Sequence, residues 1–111
     1  MENQLNRGLK KRLMYLENKD GHIDGVPARI GWVTFSRSGR SVCYRGRVLL
    51  PFGGHGHRGN YIDEATGEEF WVSGVKRRGS NVHPLERAVV RVDEDARDAY
   101  ALLRSDTVVS A

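Results

Sequence analysis

The sequence predicts a mainly β domain (α+β in class): a small antiparallel sheet or half-open barrel of five to six strands with one C-terminal helix. Three observations predict it. Short segments alternate apolar and polar residues at the period of a strand. Glycine-bearing turn signals recur between them, and the chain holds 13 glycines in 111 residues. A helical period appears only once, near the end. Strands followed by a lone helix argue for a meander or barrel with the helix over one opening or edge.

The elements follow in order. Met1–Lys11 is polar and reads as a flexible arm. Arg12–Asn18 is the first strand, with Leu13, Tyr15 and Glu17 alternating against Met14, Leu16 and Asn18. Lys19–Gly25 carries two Asx-Gly-type turn signals, and Val26-Pro27 belongs to the same loop. Ala28–Ser36 is the second strand; Ile30, Trp32 and Thr34 face one way, Gly31, Val33 and Phe35 the other. Arg37–Arg40 turns, with Gly39 supplying a positive φ. Ser41–Leu50 returns as one strand, placing Val42, Tyr44, Gly46 and Val48 on one face and Cys43, Arg45, Arg47 and Leu49 on the other. Pro51–Gly59 is a glycine-rich loop. Asn60–Asp63 and Glu68–Lys76 are strands joined by the turn Glu64–Gly67, with Phe70 and Val72 opposite Trp71 and Val75. Arg77–Asn81 turns again, and His83-Pro84 ends a polar loop. Arg87–Val92 is a half-buried strand with Ala88, Val90 and Val92 inward. Glu94–Arg104 is the helix: Asp93 is its expected N-cap, and Ala96, Ala99, Tyr100 and Leu103 form one apolar stripe. Residues 105–111 read as a frayed tail. The core is expected to include Trp32 and Trp71, and Cys43 reads as a small buried hydrophobe.

The domain organisation is therefore an arm (1–11), one compact domain (12–104) and a tail (105–111). Charged residues make up 29% of the chain, and its longest unbroken apolar stretch, Ala99–Leu103, is far too short to span a membrane. That excludes a membrane-spanning helix, which needs about 18 apolar residues in a row. No secretory signal is expected in the polar N-terminal segment, so a cytoplasmic protein without a membrane partner is expected. One cysteine excludes an internal disulfide framework and a zinc site built on several thiolates. The net charge of +4 is uneven. Met1–Arg58 holds 11 basic and 4 acidic residues; Gly59–Ala111 holds 7 and 10. Between Arg29 and Arg58 there are six arginines and no acid. A one-signed stretch of that kind attracts polyanions.

Several candidate chemistries are weak. His55 and His57 lie one residue apart in the glycine loop and are the candidate metal ligands, with Cys43 and His83 the other soft donors. Their spacing matches no zinc signature, and no cofactor is expected. The same glycines lack the Lys-Ser/Thr and the following helix of a phosphate loop. Cys43, Ser73 and Ser80 are the candidate nucleophiles, but no sequence pattern pairs them with a base. Asp63-Glu64 and Glu68-Glu69 flank a turn and read as solvated acids. A metal-dependent or phosphate-binding enzyme is thus the remote reading. Nucleic acid is the favoured partner: small β-barrels hold single strands with cationic grooves and aromatic rings. Arg45, Arg47, Arg58, Lys76, Arg77 and Arg78 are the candidate contacts, with Tyr44, Tyr61, Trp32 and Trp71 on strands near them. The alternative is a protein-interaction module that uses an exposed sheet edge.

The segments Met14–Lys19, Ala28–Ser36, Tyr44–Arg47 and Gly67–Lys76 resemble a family of small, stand-alone, uncharacterised bacterial proteins. The resemblance covers roughly residues 13 to 104. It implies a single compact domain of cytoplasmic bacterial origin, and implies no activity, catalytic residue or cofactor.

Overall fold

A computed structural model describes residues 10–52, 59–77 and 89–109. Among these residues seven strands precede the helix: β1 (Lys11–Asn18), β2 (Ala28–Phe35), β3 (Val42–Tyr44), β4 (Arg47–Pro51), β5 (Tyr61–Asp63), β6 (Glu69–Gly74) and β7 (Val90–Val92). A 3-10 turn (Glu94–Ala96) leads into α1 (Arg97–Val109). Strands β1 to β6 pair antiparallel in chain order, and β6 returns to β1. The barrel is therefore closed, not half-open, because β1 is paired on both edges: Leu13 with Trp32 of β2, Leu16 with Val72 of β6. On its other edge β2 meets β3 only at Thr34 and Phe35. The unclaimed half, Ala28–Ile30, is taken by β7 in parallel.

Two apolar clusters follow from strand alternation. Leu16, Val33, Val42, Tyr44, Leu49, Phe70 and Val72 fill the interior together with Ile23 from the β1–β2 loop. Tyr15, Ala28 and Ile30 point outward, under Leu13, Trp71, Val75, Val90, Val92 and Tyr100. So β7 and α1 cover one outer face of the barrel, and β1 and β2 are apolar on both sides. Each fully buried large aliphatic or Phe side chain contributes roughly 1.5–3 kcal/mol relative to exposure. In the helix, Ala96 is buried and Ala99, Tyr100 and Leu103 are half-buried, as the expected stripe requires.

Several expectations are corrected. The strand expected over Ser41–Leu50 is a hairpin: Arg45 and Gly46 have φ of 47° and 81°, and Tyr44 pairs with Arg47 across them. Positive φ at both central residues is the two-residue turn whose twist matches a hairpin. The turn resets the alternation, so Leu49 is buried and Val48 is exposed. Cys43 lies on the outer face and is exposed. Trp32 and Trp71 are half-buried on the outside of the barrel rather than in its interior. The helical segment runs on to Val109, past the end expected at Arg104. The N-terminal arm lies outside the described residues except Lys10 and Lys11, and Lys11 already opens β1. Asp93 makes no side-chain cap; its carbonyl accepts from Ala96 N at 2.9 Å, and its carboxylate is engaged elsewhere.

Candidate functional site

Antiparallel pairing places alternate connections at opposite ends of the barrel. One end carries the β1–β2 loop, the Arg45-Gly46 turn and the β5–β6 turn; we call it the turn end. At its base lies a buried polar network. Arg29 donates through Nε to the Ile23 carbonyl (2.8 Å), through Nη2 to the Asp24 carbonyl (2.6 Å) and through Nη1 to Asp93 Oδ1 (3.0 Å). Tyr44 donates its hydroxyl to Asp93 Oδ2 at 2.5 Å. Burial, and then the bond to this carboxylate, push the Tyr44 phenol far above its ordinary pKa, so it stays a neutral donor. Gly31 makes room: a Cβ there would lie 2.2 Å from Asp93 Oδ2.

Above the network the charges are paired as well. Arg45 Nε and Arg47 Nη2 reach the two oxygens of Asp24 at 2.6 and 3.2 Å. Arg45 Nη1 stands 3.7 Å from Asp93, and Arg47 Nε 4.0 Å from Asp63. The hydrogen bonds from Arg45 and Arg47 hold the Asp24 carboxyl below its usual range. Asp24 and Arg45 both have left-handed backbones without being glycine, and each is followed by a positive-φ glycine. Two tight turns thus face each other across one ion pair. An open groove of ≈ 590 Å³ runs beside them, lined by Asp24, Arg45, Arg47, Val48, Asp63 and Thr66 among others. Two of the acids flanking the β5–β6 turn, Asp63 and Glu69, serve the fold, whereas Glu64 is exposed. Asp63 Oδ1 accepts from Ala65 N at 2.8 Å, and Glu69 Oε1 accepts from Gly59 N at 3.0 Å. Residues 17–29, 44–47 and 63–69 together hold four Lys or Arg and seven Asp or Glu.

The other end is different. It gathers the start of β1, the β2–β3 loop and the chain leaving β6. Phe35 N donates to the Lys10 carbonyl at 2.9 Å, which ties the first two together. Gly74 pairs with Met14, so the chain that carries Lys76 and Arg77 leaves β6 at this end of the barrel. Residues 10–16, 34–43 and 73–77 contain seven basic residues: Lys10, Lys11, Arg12, Arg37, Arg40, Lys76 and Arg77, all exposed, and no acid. Lys11 Nζ lies 5.0 Å from the centroid of the Trp32 ring. The Lys76 carbonyl accepts from Arg104 of α1 at 2.9 Å.

The six basic residues expected to form one surface are thus divided. Arg45 and Arg47 sit at the turn end, already paired with acids; Lys76 and Arg77 sit at the basic end. Arg58, Arg78, His55 and His57 lie outside the described residues, as do His83 and Ser80. Among the described residues, no three His, Cys, Asp or Glu side chains gather to hold a metal ion. Cys43 has Thr34 and Val48 as its cross-strand neighbours, neither of them a base. Lys10, Lys11, Arg12, Arg37 and Arg40 were not singled out from sequence, although Arg37 and Arg40 fall within the acid-free arginine stretch.

Fold and site define a closed, six-stranded up-and-down barrel with an extra strand, a C-terminal helix and ends of opposite charge balance. Comparison with protein-family models, curated proteins and solved structures finds no match. No helix among the described residues is long and apolar enough to cross a membrane.

Proposed function

We propose that this domain is a non-catalytic, cytoplasmic binding module whose ligand is nucleic acid, met through its backbone phosphates at the basic end. One observation carries the reading. Seven exposed cations lie on three segments that the strand pairing brings to one end of the barrel, and those segments hold no acid. Lysine and arginine so arranged draw a polyanion and gain from the counterions it releases. Arginine adds two-pronged bonding to phosphate oxygens. Arg45 and Arg47 are not part of this surface, because Asp24 already takes both. The second reading, a protein-interaction module, rests on β7. It ends the sheet order, so its outer edge has no strand partner among the described residues.

Backbone amide shifts during titration with a single-stranded oligonucleotide at about 50 mM salt test the proposal. The expected result is shifts confined to residues 10–12, 32–41 and 74–77. Shifts confined to 90–92 on adding a peptide, with none from the oligonucleotide, would favour the edge instead. No localised shift at about 100 μM protein would overturn the nucleic-acid reading, since non-specific binders reach about 10⁻⁴–10⁻⁶ M.

A further inference from the structure

Resting on that reading, we propose that the ligand is single-stranded, and that Trp32 is the platform on which one of its bases stacks. Trp32 projects outward from β2, opposite Leu13 of β1, two positions from the Lys11–Thr34 pair at the basic end. Its indole is half-buried, and its Nε1 donates to the Asp95 carbonyl at 3.1 Å. That bond fixes the ring from the helix side. Lys11, an exposed and flexible side chain, holds its ammonium over the ring face at 5.0 Å. The cation reports a ring face that is reachable from solvent and attractive to a flat or charged group. A nucleobase would take the place of the ammonium, and Lys11 would turn to the neighbouring phosphate. Duplex DNA keeps its bases stacked on one another, so only an unpaired base gains from an aromatic face.

The surroundings give the strand a direction. On the helix side of Trp32 lie Glu94, Asp95 and Asp98, all exposed, with Arg97 offsetting one of the three. On the other side lie Lys10, Lys11 and Arg12, then Arg37 and Arg40. Phosphates are repelled from the first and drawn to the second. The strand therefore runs from Trp32 toward the β2–β3 loop and away from α1.

The test uses the full chain carrying Trp71→Phe, which leaves Trp32 as the sole indole. Its fluorescence is followed while a fluorescein-free oligo-dT, a hairpin duplex and heparin are added; affinity is measured in parallel by calorimetry. The expected result is tighter binding of oligo-dT than of the duplex, with indole quenching by oligo-dT alone. Trp32→Ala should weaken oligo-dT binding by at least about fivefold and leave heparin binding unchanged. If Trp32→Ala does not fold, the quenching comparison stands alone. Equal binding of all three ligands with an unquenched indole overturns the stacking inference and leaves the electrostatic reading intact. Binding of none of them overturns both.

Discussion

Gly31 is the residue on which the turn end most depends. It has no side chain because the Asp93 carboxylate occupies that space, between Arg29 and Tyr44. Gly31→Ala should destabilise by at least about 2 kcal/mol in chemical denaturation, because the added methyl forces the carboxylate off its partners. Asp93→Asn should cost about 3–5 kcal/mol, because it leaves the Arg29 charge buried without its counterion. The exposed Asp24–Arg45 pair is a different case: such pairs are worth roughly 0.2–1 kcal/mol, and only above the Asp24 pKa. Tyr44 adds a pH signature. Its folded pKa is raised, so the stability it contributes is complete below the unfolded value near 10 and is lost as pH rises beyond it. Denaturation midpoints from about pH 9 to pH 11 should fall more steeply for the native protein than for Tyr44→Phe. Equal slopes would mean that the phenol ionises freely in the folded state. None of this network was legible in the sequence. Arg29 and Asp93 lie 64 positions apart, Tyr44 and Asp93 49, and Gly31 read only as a gap in an alternating strand.

Among the elements, β1, β2, β5, β6 and the helix were legible to within a few residues, because alternation and glycine turns mark them locally. The β3–β4 hairpin was not. Its turn is usually marked by Asn-Gly or Asp-Gly, and here Arg-Gly stands in that place. The two tryptophans were misplaced for a related reason. Alternation separates two faces but does not say which is inside, and β7 with α1 makes the outer face of β1 and β2 apolar too. That covering is testable. Tyr100 packs from α1 against the outer cluster that includes Trp71. Tyr100→Ala should destabilise by about 1–2 kcal/mol, since a half-buried ring gives up part of the burial a full one would. It should also raise iodide quenching of the Trp71 indole. Unchanged quenching would mean that the helix does not shield this face in solution.

At the scale of the whole molecule, the barrel separates its charge. The turn end ties its arginines to acids within the fold, whereas the basic end presents seven cations with no acid in the same segments. The sequence carried the imbalance between its halves. It did not carry the grouping, which depends on pairing that brings the start of β1, the β2–β3 loop and the end of β6 to one place. The most direct test of the account is the salt dependence of oligo-dT affinity in three proteins: native, Arg37→Gln/Arg40→Gln and Arg45→Gln/Arg47→Gln. Affinity should fall steeply as salt rises from about 50 to 200 mM, and losing two phosphate contacts should flatten the slope of log K against log salt by about 1.4. The account predicts that flattening for the Arg37/Arg40 variant and a native slope for the Arg45/Arg47 variant. A native slope in the first, or a flattened slope in the second, would contradict it.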